Sequence, residues 1–320
     1  MTRPALIIGA LGQDGRLLAD RLLRDGVPVV GLARPGTSAR LGADAAAPHP
    51  VRELDLGDAA ALEALVGELH PERVFYLAAV HHSTESAPAD PLALWTPMLQ
   101  VNCLGLVNTV RAVRRDAPDA RLIYAASSQM YTADGEDLRV DETTPRRPRN
   151  FYAHTKAWCQ ETIALARAQA GLRGATAILF NHESPLRAPS FVSRKVTRAA
   201  AAIRLGRARR LEIADLGGRA DWSAAEDVVD ALVRMSGQDA PQDYVIGSGV
   251  VHTVEQLLDV AFGHVGLDWR AVVDAARRPP QPVVYADARR IRAELGWQPR
   301  QDFAAMVRAM VDADLAALSR

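Results

Sequence analysis

The chain has 320 residues, and its 38 Lys and Arg balance 38 Asp and Glu, so the formal net charge is zero. That balance argues against nucleic acid or an anionic membrane as the main partner, since both select a basic excess. A hydrophobic fraction of 48% suits a packed core and excludes disorder, and no apolar run approaches the ~20 residues of a membrane span.

In chain order, short β-branched runs alternate with longer helical patterns. Strand-like runs fall at Ala5–Ile8, Val29–Leu32, Val51–Leu54, Val74–Ala78, Leu122–Ala125 and Ala175–Leu179. Helix-like stretches lie near Arg16–Arg24, Ala59–Leu69, Leu92–Arg114 and Tyr152–Gln169. Such alternation with continuous apolar strands predicts an α/β fold, a Rossmann-like doubly wound parallel sheet. Residues 133–150 are polar and Pro-rich and read as a surface loop. Beyond about residue 180 the elements shorten, with helices expected near Thr253–Val265, Asp287–Leu295 and Phe303–Leu315. The expected organisation is a dinucleotide-binding domain at 1–180 plus about 221–247, and a smaller C-terminal substrate-binding domain at about 181–220 plus 248–320. The N-terminus lacks the features of a secretory signal, and Cys103 and Cys159 are neither paired by spacing nor near a His cluster. Both observations point to the cytoplasm and away from a metal site.

Gly9, Gly12 and Gly15 form G-x-x-G-x-x-G between the first strand and the first helix. In that context glycines permit a tight turn and let the backbone approach a pyrophosphate at the helix N-terminus. Arg34 ends the second strand where NAD-selective enzymes usually carry an acid; an arginine suits a 2′-phosphate and favours NADP, with NAD possible. Asp55 and Leu56, after the third strand, are positioned for adenine.

Only two of the 38 basic side chains are lysines, Lys156 and Lys195. In so Arg-rich a chain, a retained lysine marks a place that needs a compact or titratable ammonium. Tyr152 and Lys156 share one helix face at i and i+4, and Ser127 ends the fifth strand. A nearby ammonium is expected to lower the phenol's pKa, and a serine hydroxyl can orient the same substrate oxygen. Hydride transfer between an alcohol and a nicotinamide requires this set.

The segments IIGALGQDGRLLADRLL, VFYLAAVHHS and LFNHESPLRAPSFVSRKVTRA, with the Ser–Tyr–Lys set, resemble the GDP-mannose 4,6-dehydratases, which are extended short-chain dehydrogenase/reductases. YVIGSGVVHTVEQL and ELGWQPRQDFAAMVRAMVDADL extend the resemblance over nearly the whole chain. It implies NADP(H), a GDP-hexose substrate and a homodimer. It also implies catalytic roles for Ser127, Tyr152 and Lys156. Cofactor contacts would come from Gln13, Asp14, Leu77, Ala78, Ala79, His182 and Arg187 together with the glycines. Substrate contacts would come from His82, Ser128, Asn181, Val192, Lys195, Arg219 and Arg278; His81 and Glu85 appear where the family is usually uncharged and are candidate substrate contacts in their own right.

The departures from the family pattern cluster at the chemistry. Where the family has Ser-Glu-Leu-Tyr-Gly, this chain reads Ser128-Gln129-Met130-Tyr131-Thr132. The family's glutamate removes the C5 proton, and Gln129, an amide, has no basicity for that step. The family's Arg-Asp-Trp is Ala220-Asp221-Trp222, with Arg219 one place earlier, and another acid is Gln281. The expectation is therefore a GDP-hexose enzyme of epimerase, isomerase or mutase type. The alternatives are a true dehydratase, a GDP-4-keto-6-deoxyhexose reductase, a pyranose–furanose mutase and a non-catalytic NADP-binding protein.

Overall fold

The computed structural model describes residues 3–41, 47–81 and 90–319. Its centre is a seven-stranded sheet. β1 (Ala5–Ile8), β2 (Val29–Ala33), β3 (Val51–Glu53) and β4 (Arg73–Tyr76) alternate with α1 (Gln13–Arg24), α2 (Thr37–Leu41) and α3 (Ala59–Leu69). After α4 (Trp95–Met98) and α5 (Gly105–Asp116) come β5 (Arg121–Ser127), the short β6 (Leu138–Val140), α6 (Phe151–Ala170) and β7 (Gly174–Leu179). The chain continues through β8 (Asn181–Glu183), α7 (Val192–Arg204), β9 (Leu211–Ile213), β10 (Arg219–Ala224), α8 (Ala225–Ser236) and β11 (Tyr244–Ile246). It closes with β12 (Val251–Thr253), α9 (Val254–His264), β13 (Val273–Ala275), β14 (Val284–Ala286), α10 (Arg289–Leu295) and α11 (Phe303–Leu318).

The large sheet runs β11-β7-β5-β4-β1-β2-β3 with every pairing parallel. Strand order reverses between β1 and β4, which opens a crevice at the carboxyl edge there. Both faces are covered, which is why β1 and β7 read as continuous apolar runs. Leu62, Val66, Leu106, Val113, Cys159 and Ile163 from α3, α5 and α6 fill one face. Leu18, Leu22, Val228, Leu232 and Ile291 from α1, α8 and α10 fill the other. A third core lies between α7, α9 and α11, around Val196, Trp222, Leu258, Phe262 and Val311.

Three stretches depart from the sequence reading. The single helix expected over Leu92–Arg114 is a 3-10 turn, α4, a π-helical segment at Leu99–Leu104, and α5. Tyr76 causes part of this, because its hydroxyl donates to the Val101 carbonyl inside the π segment. The same hydroxyl lies 2.5 Å from where a Cβ on Gly105 would stand, so no side chain fits there. Residues 133–150 are not all loop, since β6 pairs in parallel with β14. Beyond residue 180, α7 and α8 join the three expected helices. Both start without a side-chain cap, whereas α9 has a Thr253–Gln256 capping box and α11 an Asp302 cap, so the capping signal is missing for them.

Candidate active site

A cavity of about 700 Å³ opens at the carboxyl edge of β1, β4 and β5. The glycine loop leads to it, through Asp14 at the start of α1, which lines the cavity. Gly9 has φ +94°, and a Cβ there would stand 2.8 Å from the Ala78 nitrogen. A Cβ on Gly15 would strike the Gly9 carbonyl. Gly12 is the N-cap of α1 and offers no side-chain cap to its N–H groups. These three positions fold the loop tightly under an open helix N-terminus, the geometry that accepts a dinucleotide pyrophosphate. Leu77 and Ala79, which leave β4 at its end, line the cavity.

Beside the loop lies a locked polar cluster. Gln13 donates to the His182 carbonyl at 3.2 Å and accepts from Ser184 at 2.8 Å. Asp14 Oδ2 is 2.9 Å from His182 Nε2, and His182 Nδ1 is 2.7 Å from the Phe180 carbonyl. Burial opposes the Asp14 charge most strongly, but His182 and Gln13 together outweigh it and lower Asp14 to about 2. His182 moves up for the converse reason: burial disfavours its charge, and Asp14 more than restores it.

Across the cavity, α6 begins at Asn150, whose side chain accepts from the Ala153 N–H at 2.8 Å. Tyr152 and Lys156 follow on its buried face. Lys156 is 2% exposed and its Nζ donates to the Ala125 carbonyl of β5 at 2.7 Å. Burial pushes its ammonium down to about 8. The Tyr152 hydroxyl meets Ser127, yet burial lifts the phenol to about 12, with the Ser127 hydrogen bond and Arg187 opposing. Lys156 is not among the groups that lower it, contrary to the expectation from spacing. The ammonium is 5.7 Å from the Tyr152 ring centroid and is committed to Ala125.

Gln129 stands in a 3-10 turn just past β5 and faces both this cavity and an adjoining one of about 320 Å³. Its amide lies 3.2 Å from His81 Nε2 and accepts from Asn150 Nδ2 at 3.1 Å. The His81 ring sits edge-on to Tyr152, with centroids 4.4 Å apart, and stacks on Phe191 at 5.9 Å. The Arg187 guanidinium covers Phe191 at 3.7 Å and pairs with buried Glu183 at 3.2 Å.

The structure thus brings Asp14, His81, Ser127, Gln129, Tyr152, Lys156, His182, Arg187 and Val192 around one space, with Leu77 and Ala79. Ser128 and Arg219 line the smaller cavity, and Asn181 lines both. Arg219 is held there by a two-pronged pair with Asp137 at 3.0 and 2.6 Å. Other expected residues stand apart. Arg34 is exposed at the end of β2. Asp55 caps the Gly57 N–H at 2.9 Å. Leu56 is buried, and its carbonyl accepts from Asn108. Lys195 is half-buried on α7, one turn past Val192. Arg278 is exposed, lines neither cavity, and donates its backbone N–H to Asp215 at 2.9 Å. His82 and Glu85 lie outside the described residues.

Two positioning residues escaped the sequence reading. Asn150 is one, and a helix-start signal could have found it. The other is Asn102, buried in the π segment. Its Oδ1 accepts from Val80 N at 2.8 Å and its Nδ2 donates to Thr155 Oγ1 at 3.1 Å. It ties the segment carrying His81 to α6. No cluster of His, Cys, Asp and Glu able to hold a metal ion occurs among the described residues, and no described helix is long and apolar enough to cross a membrane.

The GDP-mannose 4,6 dehydratase family model matches residues 6–310. GDP-mannose 4,6 dehydratase 1 of Arabidopsis thaliana is 35% identical over 326 residues, covering 97% of this chain and 89% of its own length. The human GDP-mannose 4,6 dehydratase is 30% identical over 349 residues, covering 97% and 91%. Among solved structures, a Thermus thermophilus UDP-glucose 4-epimerase complexed with NAD has TM-score 0.83 at 23% identity, over 98% of this chain and 99% of that one. The RMD protein of Pseudomonas aeruginosa complexed with NADPH has TM-score 0.82 at 23% identity, over 99% and 100%. These last two establish likeness of fold.

The Asp14–His182 pair predicts a pH signature. The raised His182 pKa stabilises the fold fully below about pH 6.5, its unfolded value, and that contribution is lost as pH rises through the folded value. Asp14, lowered to about 2, contributes above its unfolded value of about 3.9 and loses that only in strong acid. Lys156 acts oppositely: its folded value of about 8 lies below the unfolded ~10.4, so it adds stability as pH rises between them. Asp14→Asn removes the charge and keeps the shape. In urea denaturation from about pH 6 to about pH 9, wild type loses more stability than the variant; an equal change in both would contradict the pairing.

Proposed function

The chain belongs to the GDP-mannose 4,6-dehydratase family, and we propose that it converts a GDP-hexose by transient oxidation at C4 and return of the hydride to the sugar without loss of water. This is an isomerase-type reaction. The observation that carries it is Gln129, an amide facing the cavity between His81 and Asn150. Removal of a C5 proton needs a base, and a primary amide is not one. Among the described lining residues the one carboxylate of the larger cavity is Asp14, which is paired with His182 and lowered to about 2. A group so acidic holds a proton too weakly to abstract one from carbon. Hydride removal and return at one carbon makes no such demand.

A nicotinamide dinucleotide, when bound, supplies the hydride acceptor and donor. The glycine loop and the head of α1 fit its pyrophosphate, and Asp14 of that helix lines the same cavity as Lys156. Tyr152 holds the proton exchanged with the C4 hydroxyl, and Ser127 fixes the direction of that hydroxyl. Lys156 supplies positive charge beneath the site, and Arg187 with Arg219 offers charge to a diphosphate. A second reading, true dehydration, is favoured by the names of the relatives and by His81, a titratable group beside Tyr152. Incubation with a panel of GDP-hexoses and NMR of the products separates the two. Wild type gives an isomer and little 4-keto-6-deoxy sugar, and Tyr152→Phe lowers turnover at least about a hundredfold. Robust GDP-4-keto-6-deoxymannose formation by wild type would return it to the dehydratases.

For the cofactor we favour NADP(H), through Arg34. Glu53 works against that preference, because its carboxylate already accepts the Gly36 and Ser38 N–H groups at 2.7 and 2.8 Å in the loop a 2′-phosphate would approach. Titration calorimetry therefore shows NADP binding weakened by Arg34→Ala, on the order of tenfold for a charged hydrogen bond, and strengthened by Glu53→Gln, with NAD little changed by either. NAD binding tighter than NADP in wild type would overturn the preference.

A homodimer is the proposed assembly, and the two free buried thiols suit a cytoplasmic setting. Leu92, Trp95, Leu99 and Leu104, with Trp158 and Leu165 of α6, are each at least 44% exposed, an apolar surface of the kind that subunits cover. Light scattering at micromolar concentration reports a dimer, and a monodisperse monomer contradicts the assignment.

A further inference from the structure

We propose that Gln129 is a positioning residue that sets the tautomer of His81, holding the imidazole neutral with its proton on Nδ1 and its Nε2 lone pair toward the amide.

The assignment starts from a group with no choice. The Ala153 backbone N–H can only donate, and it lies 2.8 Å from one atom of the Asn150 amide, which is therefore the oxygen. The other Asn150 atom is the nitrogen, a donor only. The Gln129 atom 3.1 Å from it must accept, and is Oε1. The remaining Gln129 atom is then NH2, again a donor only. It lies 3.2 Å from His81 Nε2, so that ring nitrogen accepts and carries no proton. The polarity of a backbone group thus passes through two amides to an imidazole, and each link allows one orientation.

A carboxylate at position 129 would invert the result. Both its oxygens accept, so the His81 nitrogen facing it must carry a proton, and the adjacent negative charge would favour imidazolium. The substitution relative to the family therefore does more than delete a base: it also changes which His81 nitrogen can donate. On the functional reading above, His81 in this state offers its Nδ1–H and no Nε2–H. Among the described residues, the charged and titratable groups near it are Tyr152 at its edge, Arg187 beyond the stacked Phe191, and Lys156, Asp14 and His182 lining the same cavity; Arg149 lines the adjoining cavity with Gln129.

Long-range ¹H–¹⁵N NMR of the full chain, labelled at histidine and assigned by loss of one signal in His81→Asn, reads the tautomer without turnover. Wild type near neutral pH shows the Nδ1–H form. Gln129→Glu switches it to Nε2–H and raises the His81 titration midpoint by at least about one pH unit. Asn150→Asp is the sharper test. It keeps a good helix cap but turns the donor into an acceptor, so Gln129 flips and His81 switches to Nε2–H although neither residue was altered. A wild type in the Nε2–H form, or a tautomer that either substitution leaves in place, overturns the proposal. The product panel stands or falls separately, because the tautomer is measured with no substrate present.

Discussion

The site depends on one buried charge. Lys156 places an ammonium almost out of water, where an uncompensated charge costs several kcal/mol. The Ala125 carbonyl at 2.7 Å partly offsets that, and the ammonium also faces the Tyr124 ring at 4.9 Å. The compensation is incomplete, which is why the group falls to about 8. This hydrogen bond fixes α6 against the carboxyl end of β5. Tyr152 is then set one turn earlier beside Ser127, and Asn150 at the helix start is set within reach of Gln129. An arginine could not occupy the same slot, since its planar fork has five donors to satisfy.

Asn102 extends this anchoring to the opposite wall. The π segment bulges α4 and α5 enough to aim its side chain at Val80 and Thr155. A regular helix would carry the same residue around the axis by a different angle, since one extra residue per turn shifts the faces that follow. The segment leading to His81 is thereby fastened to α6, so the Tyr152, His81 and Gln129 contacts share one frame. Cys159 donates to the Asn102 carbonyl at 3.0 Å, which adds a second tie between the π segment and α6.

Much of this was legible in the sequence. Continuous apolar strands announced the parallel sheet, and the scarcity of lysine pointed to Lys156, which lines the cavity, and to Lys195, which does not. The smaller core was only partly legible, because α7 and α8 start without the capping residues that announce a helix. The π segment was illegible: the hydrogen bond that accompanies it joins Tyr76 and Val101, residues on different elements. Arg278 lines neither cavity, since a motif match fixes a residue's position along the chain and not the direction of its side chain. Tyr152 carries the same lesson for electrostatics. Its spacing from Lys156 was read correctly, but burial governs the phenol and the ammonium is spent on Ala125.

Gln129 links the structural account to the chemical one. As an amide it joins a one-way hydrogen-bonded chain from the α6 cap to His81, and as an amide it cannot accept a carbon-bound proton. The most direct test of that chemistry is turnover of a GDP-hexose by wild type in D2O, with the product examined by mass spectrometry and NMR. Hydride return without dehydration predicts a product that keeps its C6 oxygen and carries no deuterium at C5. A 6-deoxy product labelled with deuterium would show that water had been lost after all, and would contradict the account.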